Sequence, residues 1–169
     1  MDLLIVRHAI AFSPNPRRWP EDRERPLTPE GVVRARRAAK GLGRIVDPPE
    51  RVLTSPLARA VETAAILTAC AGWPEASLCA ALAPGVSPET LLEVLLEALR
   101  AEPCRRVAIV GHQPGLGRLM AHCLAGAARP DAFQLKKPGA ALLAFTGAVR
   151  AGGATLCWLL PPGVLRAVR

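Results

Sequence analysis

The sequence predicts an α/β fold built on a mostly parallel sheet, and three observations carry that expectation. Short unbroken apolar runs alternate along the chain with longer segments whose apolar residues recur at helical spacing. Leu3-Leu4-Ile5-Val6 and Val107-Ala108-Ile109-Val110 are the clearest runs, and they suit strands buried on both faces. Three helical segments open on a hydroxyl residue followed by proline, at Thr28-Pro29, Ser55-Pro56 and Ser87-Pro88, which is an N-cap with Pro at N1. Finally, two apolar strands over 140–146 and 154–160 flank the turn-rich stretch Gly147 to Gly153. That short separation suits a hairpin, so one edge of the sheet is expected to be antiparallel.

Composition sets the bounds. The chain has 169 residues, half of them hydrophobic, which suits a single domain over 1–169 with a sizeable core. The formal net charge of +8 favours acidic or phosphorylated partners. The basic residues are spread along the chain, aromatics are few and tyrosine is absent, so no nucleic-acid partner is expected. Cys70, Cys79, Cys104, Cys123 and Cys157 are odd in number and widely spaced, as expected of reduced thiols. No apolar run reaches transmembrane length, and the first strand starts too early for a signal peptide. A cytoplasmic protein without a membrane partner is the expectation.

Taken in order, the first strand runs into Arg7 and His8. A buried strand accepts a cation poorly, so both should emerge at its carboxyl end, the edge where ligands bind in open α/β sheets. The loop from Ile10 to Pro26 holds four prolines, which rule out a long helix. Its carboxylates Glu21, Asp22 and Glu24 are within reach of the same edge. From Thr28 a helix is expected, with Val32, Ala35, Ala38, Ala39 and Leu42 on its buried side and Gly41 and Gly43 ending it. Arg34, Arg36 and Arg37 read as its solvated face.

Arg51 to Thr54 reads as a second strand, and Ser55-Pro56 as the cap of the next helix. Arg59 then falls in the first turn, where peptide dipoles disfavour a cation unless an anion is bound beside it. A surface pairing of Arg59 with Glu62 or Glu24 is the competing account. Ser77 to Ala81 is a weak third strand, Leu82 to Gly85 a turn, and Ser87-Pro88 the start of a third helix. The strand Arg106 to Val110 ends in Gly111-His112-Gln113-Pro114-Gly115, and Pro114 is expected at N1 of a fourth helix. The glycines there do not have dinucleotide-binding spacing.

Arg7, His8, Arg59 and His112 thus converge on one edge, because βαβ crossovers keep the carboxyl ends of strands together. Two guanidinium forks, two imidazoles and helix N-termini make an anion site. A metal held by His8, His112 and His122 is the rival reading. Two arginines would repel a cation, and no carboxylate or cysteine accompanies the histidines at ligand spacing. No metal and no cofactor are therefore expected. A neutral imidazole beside a bound phosphate is a competent nucleophile.

At this point a resemblance becomes specific. Leu4-Ile5-Val6-Arg7-His8-Ala9 resembles the Arg-His-Gly motif of the histidine phosphatase (phosphoglycerate mutase-like) superfamily. Arg25-Pro26-Leu27-Thr28-Pro29-Glu30-Gly31 is similar to the segment that follows it. Ser55-Pro56-Leu57-Ala58-Arg59-Ala60 with Thr63-Ala64 resembles the second-arginine motif, and Val110 to Gly115 the second-histidine motif. The four occur in the family's order. Length and the Arg25 segment look most like the SixA-like phosphohistidine phosphatases.

The resemblance implies a three-layer α/β/α sandwich with a six-stranded, mostly parallel sheet and one antiparallel strand. It implies that His8 is the phosphorylated nucleophile and that Arg7, Arg59 and His112 bind the phosphoryl group. Arg25 and Gln113 are secondary candidates for the phosphate. Ala9 departs from the usual Gly. The segment Ala81 to Gly85 lacks the proton-donating carboxylate found in larger members, which leaves Glu21, Asp22 or Glu24 as possible donors. The expected activity is a metal-independent phosphohistidine phosphatase whose partner is a phosphohistidine-bearing protein. The alternatives are a phosphatase for small phosphate esters or, in a different class, a catalytically idle phosphoprotein-binding module. A mutase fits less well, because the chain lacks the helical cover that retains a phosphoenzyme.

Overall fold

The two apolar runs form the centre of a six-stranded sheet. In the computed structural model, which describes residues 1–127 and 132–168, the strands are β1 (Asp2–Arg7), β2 (Arg51–Thr54), β3 (Ala76–Leu78), β4 (Arg106–Gly111), β5 (Ala140–Phe145) and β6 (Ala154–Leu160). They pair in the order β3-β2-β4-β1-β5-β6. β5 is antiparallel to both its neighbours, and the other pairings are parallel. The helices are α1 (Pro29–Ile45), α2 (Ala58–Ala71), α3 (Pro88–Ala101), α4 (Gly115–Ala125) and α5 (Pro162–Ala167).

Strand alternation divides the core into two layers. Leu3 and Ile5 of β1, with Val107 and Ile109 of β4, pack on Leu91, Leu95, Leu119 and Met120 of α3 and α4. Leu4, Val6, Ala108 and Val110 face the other way, onto α1, α2 and Leu165 of α5. The result is the expected three-layer α/β/α sandwich. The helix after β1 and the helix after β4 lie on opposite faces of the sheet. The crevice between these two strand ends is therefore a topological switch point, where ligands bind in such sheets.

The caps at Thr28 and Ser87 form as expected: their side chains accept from Gly31 N–H and Thr90 N–H. Other expectations need correction. α1 continues through Gly41 and Gly43 to Ile45. Gly41 serves packing instead, since a Cβ there would stand 1.8 Å from the Leu165 carbonyl oxygen. α2 begins at Ala58 with Leu57 as its N-cap, so Ser55 does not cap it. Pro114 is the N-cap of α4 and not its N1 residue. β3 is shorter than expected, and the residues Ala80–Leu82 form a 3-10 turn. α5 was not expected from the sequence at all. Among the described residues no helix is long and apolar enough to cross a membrane.

Candidate active site

The register of β1 on β4 pairs Val6 with Val110 and Arg7 with Gly111. The next residue along each chain is a histidine. His8 N–H donates to the Gly111 carbonyl at 3.0 Å, so the pairing continues one step past the strands. Adjacent strands lie roughly 4.8 Å apart, and the two imidazole centroids accordingly stand 5.0 Å apart. β2 supplies a third strand end. Ser55 N–H donates to the Val110 carbonyl, which brings the Ser55 hydroxyl to 2.8 Å from His112 Nε2. This bond is what Ser55 does in place of capping α2.

The tautomer of His8 follows from its partner. Nδ1 lies 2.7 Å from the Ala9 carbonyl oxygen. A carbonyl only accepts, so Nδ1 carries the proton and the neutral ring keeps its lone pair on Nε2. The ring stays neutral because burial, and then the neighbouring His112, push its pKa down to about 3; Lys137 and Arg59 add to this and the Ala9 bond opposes it. His112 is lowered to about 4, chiefly by burial and then by Arg59 and Arg7. Both rings are therefore neutral at physiological pH.

The arginines surround this pair. Arg7 Nη1 donates to the Leu135 carbonyl at 2.6 Å. Arg59 donates from Nη1 to the Asp22 carbonyl at 2.9 Å, and its Nη2 is 3.1 Å from the Asp22 carboxylate. Arg25 Nε donates to the other carboxylate oxygen at 2.7 Å. Asp22 thus joins Arg25 to Arg59, and the Arg25 hydrogen bond holds its carboxyl below the usual range. His8, Arg25, Arg59 and His112 are each no more than 8% exposed. Arg7 Nε, Arg59 Nε and His112 Nδ1 are buried with no partner among the described residues. An oxyanion has the acceptors these nitrogens lack.

Three kinds of comparison bear on this arrangement. The family model described as histidine phosphatase superfamily (branch 1) matches residues 3–83, which contain the first three motifs. A protein histidine phosphatase SixA, solved with tungstate, superposes with a TM-score of 0.81 at 29% identity, covering 98% of this chain and 99% of its own. This chain belongs to the histidine phosphatase superfamily, and it is SixA-like. A putative phosphohistidine phosphatase SixA from Nakamurella multipartitia superposes at 0.73 with 26% identity over 95% of each chain. An uncharacterised protein of Picosynechococcus sp. is 37% identical over 139 residues, 82% of either chain.

The superfamily motifs also make the departures legible. Ala9 is fully buried and packs with Leu27 and Ala35; its N–H donates to Thr63 Oγ1, which donates to the Arg59 carbonyl. The extra methyl of Ala9 is thus absorbed by a small apolar cluster. The Gln113 amide is already engaged at both ends, donating to the Phe133 carbonyl and accepting from Gly117 N–H. It braces the start of α4 with one Nε2 proton and its oxygen, and its second Nε2 proton is uncommitted among the described residues. Arg59 pairs with Asp22 and with neither Glu62 nor Glu24; Glu62 instead accepts from Leu27 N–H.

Among the loop carboxylates, Asp22 reaches the site while Glu21 pairs with exposed Arg23. The cavity beside His112, walled by Ala81 to Val86, has no Asp or Glu in its lining among the described residues. His122 lies two turns along α4, near Glu89 of α3. Among the described residues no three His, Cys, Asp or Glu side chains are grouped to hold a metal. Ser55 and Lys137 are the site residues the sequence reading passed over. Ser55 looked like a cap, and no local pattern ties Lys137 to His8, 129 positions earlier.

Proposed function

We propose that this chain is a single-domain, cytoplasmic phosphohistidine phosphatase that works through a covalent phosphohistidine on His8. The observation that carries the reading is the state of His8: a neutral ring with its Nδ1 proton committed to Ala9 and its Nε2 lone pair free, near the charge of Arg59. In the first step Nε2 attacks phosphorus and the substrate P–N bond breaks. A substrate imidazole protonated on its other ring nitrogen then departs as a neutral base. In the second step water attacks the same phosphorus, the P–Nε2 bond breaks, and inorganic phosphate leaves with His8 restored.

Arg7, Arg59 and His112 hold the phosphoryl oxygens, whose charge the transition state must keep compensated. Arg25 acts one step back, aligning Asp22 and the loop. These guanidiniums supply the positive charge, so chelation is expected to leave turnover intact. Asp22, held ionised by Arg25, is a poor proton donor, and the described residues lining the cavity beside His112 offer none. A missing acid suits a phosphoramidate better than an alkyl ester, whose leaving group needs a proton.

The test is phosphate release by purified protein from a phosphohistidine-bearing protein and from sugar phosphates, phosphoglycerates and aryl phosphates. The phosphohistidine protein and aryl phosphates with acidic phenols are expected to turn over far faster than the alkyl esters. Brief incubation with labelled substrate should leave an acid-labile, base-stable label, lost in His8→Ala. Faster turnover of alkyl esters would assign the chain to small phosphomonoesters, and no turnover of any compound would leave a binding module.

A further inference from the structure

Arg7 is gripped at both ends by a single segment that carries no recognised motif. Its Nη1 donates to the Leu135 carbonyl, and its backbone N–H donates to the Gly139 carbonyl at 3.0 Å. Lys137 lies midway between these two anchors. The backbone around it is tightly folded: a Cβ on Gly139 would stand 2.7 Å from the Lys136 carbonyl oxygen. Pro138 and Gly139 are buried and Lys136 is exposed, whereas Lys137 is half-buried.

Burial, and then the charges of Arg7, Arg25 and Arg59, lower the pKa of the Lys137 ammonium. Its own charge in turn disfavours protonation of His8. The one carboxylate at these charges, Asp22, has both oxygens taken by Arg25 and Arg59. Among the described residues no carboxylate pairs with Lys137 or Arg7. A lysine that only snorkels keeps its head in water and away from like charges. The Lys137 side chain is instead half-buried on the segment that grips Arg7 and senses three guanidinium charges, an arrangement that a dianion beside them would compensate.

Building on the function proposed above, we infer that Lys137 is a further phosphoryl-binding residue: its ammonium donates to an oxygen of the group transferred to His8. Arg7, Arg59 and His112 approach from the ends of β1, α2 and β4. Lys137 approaches from a fourth element, the segment leading into β5 that holds Arg7 through Leu135 and Gly139. An ammonium is compact and carries three donors that rotate freely, which suits an oxygen that moves as phosphorus inverts.

The probe is orthovanadate, titrated calorimetrically into wild type, Lys137→Met and Lys137→Arg. The Met variant is expected to bind vanadate about tenfold more weakly or worse, the scale of one charge-assisted hydrogen bond, and the Arg variant to retain most of the affinity. The anion-free Met variant should melt no lower than wild type, because one of four like charges has gone. A vanadate Kd for the Met variant within about twofold of wild type would overturn the inference, as would a large fall in its anion-free Tm, which would make the lysine structural. Wild type that binds no vanadate at all would instead sink the phosphatase reading on which the inference rests.

Discussion

His8 and His112 are held neutral by their surroundings, and that state has consequences beyond catalysis. Their pKa values are depressed to about 3 and about 4 in the folded protein, against about 6.5 in an unfolded chain. Below that value the unfolded state binds more protons, so stability is lost as pH falls from about 6.5 toward the folded values. Removing one ring should remove its share: the Tm of His8→Gln is expected to fall less between pH 7 and pH 5 than that of wild type, and equal falls would contradict the burial argument. Nitrogen-resolved NMR of the anion-free protein should show His8 protonated at Nδ1 and bare at Nε2 down to about pH 5. Asp22 offers the second residue-scale expectation. It competes with an incoming anion for Arg59, so Asp22→Asn should lower KM for aryl phosphates. Rates for poor leaving groups should hold in that variant and in Glu21→Ala and Glu24→Ala. A steep new dependence on leaving-group pKa in one of the three would make that carboxylate the proton donor, and the argument from a missing acid would fail.

At the scale of elements, what was legible in the sequence was what is locally encoded. The central strands announced themselves as apolar runs because both faces of β1 and β4 are covered. Thr28 and Ser87 announced helix starts because capping is a contact between residues three apart. Ser55 has the same local signature but a distant partner, His112, and no local rule chooses between the two. The glycines of α1 misled for a similar reason. In isolation they read as helix ends, yet Gly41 is small because α5 crosses there, and the α5 residue it meets, Leu165, is 124 positions further on. Alanine would ordinarily favour a helix interior over glycine by about 1 kcal/mol. Here its Cβ would meet a backbone oxygen at 1.8 Å, and backbone yields less readily than a side chain. Gly41→Ala is therefore expected to destabilise by about 1–3 kcal/mol, read as a lower urea midpoint at unchanged m-value. Its kcat and KM should match wild type, since Gly41 lies roughly 18 Å along α1 from its first residue, at about 1.5 Å per residue. A stabilised variant would mean that α5 does not dock there.

At the scale of the whole molecule, the topology gathers charge at one place while the surface carries more of the same sign. Crossovers from the parallel strands deliver Arg7, His8, Arg59 and His112 to one edge, and the return segment before β5 adds Lys137. The remaining excess of the +8 net charge is distributed over the surface, including the exposed Arg36, Arg37, Lys40 and Arg44 of α1. These two populations respond differently to salt. Charges in a desolvated pocket are screened little, whereas exposed charges lose most of their reach beyond a Debye length of about 8–10 Å at physiological ionic strength. A small aryl phosphate senses mainly the pocket. An acidic phosphoprotein, spanning far more than a Debye length, is also drawn in by the surface, and such steering shows up in association. Raising NaCl from about 20 to about 500 mM, which shortens the Debye length severalfold, should therefore raise KM for an acidic phosphohistidine protein much more than for an aryl phosphate. The kcat for each should change little, because the transferring group is already inside. The measurement is KM and kcat for both substrates across that salt series. Parallel rises in KM would show that the surface charge takes no part in recognition, and would favour a small phosphate ester as the natural substrate over a protein.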